Sequence, residues 1–221
     1  MSLLLALPLV VLAQQQGIAA RLDGRVPATV AAVAESLGTA ARARGLPIDP
    51  LIQKAIEGGA KGVPAERVSA ALRLVVAQLD TAAAGLRAAD VTPDTLAIAA
   101  GAFAITAGLN GGDVASIARS TSRADAALVV GLRVAGTLAA LGVPPQQSAD
   151  LVSATLASGR PATDLLALPG RVQAEMARGV PAAQAAAGLA RAAAAAAAQG
   201  RHGPPPGRGQ PPSHPTPPQH P

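Results

Sequence analysis

Apolar residues recur along this chain at helical spacing. Val26, Val30, Val33 and Leu37 step by 4, 3 and 4, and Val68, Leu72, Val75, Leu79, Ala82 and Leu86 step by 4, 3, 4, 3 and 4. Such steps draw one stripe along an α-helix, the face that packs on a partner. Leu128, Leu132, Ala135 and Leu138 make another stripe, and Ser122 with Asp125 three residues on resembles the capping box that opens such a helix. No stretch alternates with the period of a strand, so the pattern predicts an all-α chain of roughly seven to nine helices. The most apolar internal stretch, Leu96 to Leu109, carries small residues at Ala97/Gly101 and Ala104/Gly108. That spacing permits close helix contact and reads as a buried central helix, with Phe103 anchoring the core.

Punctuation between the stripes is regular. Gly45-Leu46-Pro47, Gly62-Val63-Pro64, Gly142-Val143-Pro144 and Gly179-Val180-Pro181 share a glycine-apolar-proline order, and Gly159-Arg160-Pro161 is a degenerate copy. The glycine suits the left-handed residue just past a helix end, the apolar residue folds back on that helix, and proline opens the next helix at its first position. Thr92-Pro93 supplies a further start, with Thr92 as its cap. The spacing suggests three tandem units, each a short helix, a glycine turn and a longer helix. Val68, Val75 and Leu79 would then correspond to Leu165, Val172 and Met176, and a middle unit would begin at Pro93, with Gly108 and Val114 matching Gly62 and Val68. The expected fold is a compact all-α array of helical hairpins.

The two ends differ from this body. Residues 1–13 read as a signal peptide: Leu3 to Leu12 is an apolar run, and Val11-Leu12-Ala13 places small residues where a signal peptidase cuts. The run is well short of the ~20 residues of a membrane span. With no cysteine in the chain, an acylated-cysteine anchor is excluded. From Gly200 to Pro221 proline dominates and little else is apolar, so residues 200–221 are expected to be a disordered, extended tail, leaving residues 14–199 as one all-helical domain.

Composition narrows the chemistry. Half of the residues are apolar, alanine supplies much of that half, and Phe103 is the one aromatic among 221 residues, so the core must be thin. Of 18 basic residues only Lys54 and Lys61 are lysines, and the basic residues are scattered rather than striped, which argues against a nucleic-acid surface. His202, His214 and His220 all lie in the tail. The body therefore lacks the residues of Ser-His and Cys-His catalysis and of ordinary zinc or haem ligation. No catalytic, cofactor-binding or metal-binding residue is assigned, and no cofactor is expected. Asp90 and Asp94 flank a helix start, where acidic residues favour the helix dipole. Gly58-Gly59-Ala60-Lys61-Gly62 lacks the Gly-Lys-Ser/Thr order of a phosphate loop, and Gly108-Leu109-Asn110-Gly111-Gly112-Asp113 puts a carboxylate where a phosphate would sit. Both read as interhelical turns.

Glu57-Gly58-Gly59-Ala60-Lys61-Gly62-Val63-Pro64, followed by Glu66-Arg67-Val68, resembles a segment of uncharacterised exported bacterial helical proteins. The resemblance spans little more than one helix junction. It implies export and an all-α fold, with no activity or site attached. The expectation is a non-catalytic binding or scaffold protein of the bacterial cell envelope, periplasmic or secreted, that meets a protein or other envelope partner and has no stable membrane span. A membrane-active helical protein and a hydrolase or lyase working with carboxylates alone are the alternatives. If the leader is removed as read, mass spectrometry of the protein from its native cells will find Gln14 at the mature N-terminus. An intact Met1-Ser2-Leu3 end would contradict it.

Overall fold

The structure, a computed structural model, describes residues 17–121, 126–159 and 162–201. The expected signal peptide, the Ser122/Asp125 cap and the three histidines of the tail lie outside these residues. The described residues form ten α-helices and no strand: α1 (Ile18–Leu22), α2 (Ala28–Ala43), α3 (Asp49–Ala60), α4 (Ala65–Arg87), α5 (Thr95–Thr106), α6 (Gly111–Arg119), α7 (Ala126–Ala140), α8 (Pro145–Ala157), α9 (Ala162–Ala177) and α10 (Ala182–Arg201). The count exceeds the sequence expectation because α1 has only 5 residues and α6 only 9, too short for a sustained stripe. The alanine run of α10 is helical, and the helix continues to Arg201.

Each helix packs on its successor, and all but α3 also pack substantially on the helix two places along. The even-numbered helices α2, α4, α6, α8 and α10 therefore make one row. On the other side, α1 packs with α3, and α5 packs with α7, which packs with α9. Substantial packing between helices further apart in order is absent among the described residues. The result is an array of helical hairpins, built by neighbour-on-neighbour stacking.

The junctions explain this regularity. Gly62 has a φ of +61°, its N–H donates to the Gly59 carbonyl (3.0 Å), and the Val63 N–H donates to the Gly58 carbonyl (3.0 Å). Those two bonds define a Schellman ending, and they close the orphan carbonyls of α3 while folding Val63 back on it. The same pair recurs at Gly45/Leu46, Gly108/Leu109, Gly142/Val143 and Gly179/Val180. It also recurs at Asp90/Val91, where Asp90 takes a φ of +58° in place of a glycine. The prolines differ from expectation: Pro64 and Pro144 stand at the N-cap rather than at the first helical position, as Pro27 also does, and Pro47 precedes the Ile48 cap of α3. At the three proline caps the fixed φ with an extended ψ of 136–146° suits a cap, and their carbonyls accept the first helical N–H bonds. The cap of α5 is Asp94, not Thr92: its Oδ1 accepts from the Ala97 N–H at 2.7 Å.

Small residues set the helix separation. A Cβ on Gly101 of α5 would stand 2.9 Å from the Ala82 Cβ of α4, and one on Gly85 of α4 would stand 2.6 Å from the Gly111 carbonyl oxygen of α6. Large side chains then fill the remaining space, with Leu72, Leu79, Leu86, Leu128, Leu132 and Leu138 fully buried. In α4 the inward position falls to Val76, and Val75 is only half-buried. Phe103 does not anchor the core and is 48 % exposed. Where α5 meets α7, a Cβ on Gly136 would be 3.0 Å from the Ala104 Cα, so no ring fits between them. The Phe103 ring lies along that seam instead, 2.8 Å from the same Cβ position.

The three-unit division is not reproduced. Val68 and Leu165 are both buried, but Leu79 is fully buried while its counterpart Met176 is 38 % exposed. In the middle unit α6 is shorter than α5, 9 residues against 12, which inverts the short–long order. The glycine endings recur without a common helix length. The two kinds of left-handed residue make a paired prediction for urea denaturation. Gly62→Ala should cost about 1 kcal/mol, and Asp90→Gly should gain up to about 1 kcal/mol by relieving the same backbone constraint. Shifts of equal sign would contradict this account of the junctions.

Candidate functional site

The α3–α4 junction carries the segment Glu57 to Val68, and each of its glycines has a structural reason. Gly58 lets α4 close on α3, since a Cβ there would stand 2.6 Å from Val68 Cγ2. Gly59 admits the Arg25 carbonyl, at 2.6 Å from a Cβ position. Gly62, Val63 and Pro64 end one helix and begin the next.

What the backbone leaves over is a set of side chains around a depression of about 240 Å³. Its floor is Gly58, Val63, Val68 and Ala71, and Lys54, Glu57, Lys61 and Arg67 form its rim. Lys54 Nζ donates to Glu57 Oε2 at 2.8 Å, and Lys61 Nζ donates to Glu57 Oε1. Both lysines of the chain thus converge on one carboxylate. Arg67 is exposed and makes no ion pair among the described residues. Three cations around one carboxylate leave the rim with two positive charges. The spacing that builds this rim, one lysine three residues before Glu57 and one four residues after it, is visible in the sequence. It escapes notice when the glycines are compared only with phosphate loops.

Other features of the surface are simpler. Ala20, Arg21, Arg25, Ile52 and Ile56 line a second depression between α1 and α3, and Thr155, Leu168, Leu189 and Ala193 line a third among α8, α9 and α10. The stretch Gly108 to Asp113 forms the turn from α5 to α6. Asn110 caps α6 and makes a capping box with the buried Asp113, a pairing the sequence reading did not identify. Asp90 and Asp94 separate into a left-handed turn residue and a cap. Ion pairs Arg21–Asp49 (2.7 Å) and Arg44–Asp80 (2.8 Å) tie α1 to α3 and α2 to α4, but their exposure makes each worth little. Among the described residues no helix is long and apolar enough to cross a membrane, and no three acidic side chains gather at metal-binding range.

By fold and surface the chain is a helical-hairpin array with a basic, apolar-floored depression at one junction. Compared with protein families, curated proteins and solved structures, it matches none of them.

Glu57 records the electrostatics of the depression. The hydrogen bond from Lys54, then that from Lys61, and then the charges of the two ammonium groups bring its pKa from 4.5 to about 2. A carboxyl depressed on folding contributes stability above its unfolded pKa, and that contribution is lost as pH falls through the folded value. An NMR titration of the Glu57 side chain should therefore show it ionised well below pH 4.5, titrating at about 2. Lys54→Met should return it towards the ordinary carboxylate range more than Lys61→Met does. An unshifted titration in the unaltered protein would contradict this geometry.

Proposed function

We propose that this chain is a non-catalytic binding or scaffold protein of a bacterial cell envelope. The observation that carries the reading is the stacking order, in which each helix packs on its successor and, α3 excepted, on the helix two places along. Such an array exposes the outer faces of successive hairpins as a continuous surface, the property through which helical repeats act as platforms. Two sequence features support it. The body has neither histidine nor cysteine, and the apolar run Leu3 to Leu12 has the form of an export signal. Binding rather than turnover is what this inventory serves best.

The reading is tested in the native cells, with the full chain tagged at its C-terminus. In-cell cross-linking followed by mass spectrometry should recover a small, reproducible set of envelope proteins, and fractionation should place the chain outside the cytoplasm. Recovery of cytoplasmic proteins alone, or of no cross-linked partner, would overturn it.

A further inference from the structure

We propose that the depression between α3 and α4 docks an acidic peptide segment of another protein, with a carboxylate against Lys61 and Arg67 and an aliphatic side chain over Val63, Val68 and Ala71. The inference deepens the binding reading above and rests on it. Junction geometry explains Gly58, Gly62, Val63 and Pro64, but it explains neither Arg67, which has no ion pair among the described residues, nor the apolar floor that the rim leaves open. Val63 and Ala71 stay partly exposed there. Leu74, 58 % exposed, follows Arg67 by seven residues and Ala71 by three, so the three share one face of α4. Arg67 therefore stands at one end of a face that runs about two helical turns to Leu74, with Ala71 between them.

Charge complementarity selects the occupant. A small anion such as phosphate would gain the cations but meet Glu57 in their midst, and it would leave the floor wet. A peptide brings a single carboxylate to Lys61 and Arg67 together with apolar groups that cover Ala71 and Leu74. An anionic membrane is served by a denser basic cluster, roughly four to eight cations on one surface, than the three gathered here. Glu57 acts as an internal competitor: it holds both lysines until another carboxylate replaces it.

The test is an NMR titration of the isotope-labelled full chain with the acetylated, amidated peptide Asp-Leu-Glu-Leu-Glu. The expected result is a set of shifts confined to the amides around Gly58, Lys61, Arg67 and Ala71. The double variant Lys61→Glu, Arg67→Glu should bind at least roughly tenfold more weakly, Glu57→Gln severalfold more tightly, and a peptide with lysine at the acidic positions should not bind. Leu74→Gln, which leaves every charge in place and is exposed enough to fold normally, should also weaken binding. Shifts elsewhere, no shifts, affinity indifferent to these variants, or the same shifts with inorganic phosphate or phosphatidylglycerol vesicles would each overturn the proposal. Cross-linking separates the two readings. If Arg67→Glu retains the envelope partners of the unaltered chain, this surface is wrong and the binding function stands; if the unaltered chain has no partner, the binding function itself falls.

Discussion

Two helices approach closely only where the side chains between them end at or before Cβ. A chain whose one aromatic is Phe103 has little bulk with which to hold helices apart, so close approach becomes the condition for having a core at all. Gly101 against Ala82, Gly85 against the Gly111 carbonyl and Gly136 against Ala104 are the places where this condition is met. Leucines flanking these seams are fully buried because the seams are tight. Dispersion contacts fall away steeply with separation, so widening one seam by a single methyl group would loosen every leucine that depends on it. Phe103 shows the constraint from the other side: the largest apolar side chain of the body is the one the seam cannot admit.

Close helices must also be short-linked and consistently oriented, and the Schellman endings provide this. Each ending satisfies carbonyls that would otherwise be orphaned, and each directs the chain back along the helix it has left. Repeated at six junctions, this local geometry keeps each helix against its first neighbours and, except between α3 and α5, its second neighbours. The two rows follow from that repetition rather than from long-range pairing. An array of this kind derives its stability from adjacent interfaces, so a change at one junction is felt mainly by the helices beside it.

This division also explains what could be read from the sequence. Gly-apolar-Pro is a local chemical instruction, and four of the junctions were legible from it. The sixth ending was not, because Asp90 adopts a left-handed backbone that glycine normally marks. The α7 stripe was legible from the spacing of its leucines, with only Arg133 and Thr137 polar in that helix, and the α4 stripe because polar residues define its outer face. In α5 they do not: the helix is apolar all round, so nothing local distinguishes its buried side from the side that exposes Leu96 and Phe103. Likewise Asn110–Asp113 lay in a glycine-rich stretch whose turn character hid the cap. The depression was half legible. Its lysine–glutamate–lysine spacing is a helix-surface pattern, but its apolar floor exists only once Gly58 lets Val68 close against α3.

The choice of lysine at this place bears on how such a surface would work. Arginine would hold Glu57 with a planar, two-point fork and would give up that geometry reluctantly. An ammonium group binds the carboxylate as a compact point charge on a long stem, and it can turn to another carboxylate without losing a preferred plane. In a chain that otherwise uses arginine, both lysines stand on α3 or at its end, around the same glutamate. Arg67, on the facing helix, has no ion-pair partner among the described residues and keeps its fork for an incoming carboxylate. The rim thus combines one committed recognition group with two exchangeable ones. Glu57, held ionised by its lysines down to about pH 2, keeps the exchange a competition between carboxylates rather than a protonation event across the physiological range.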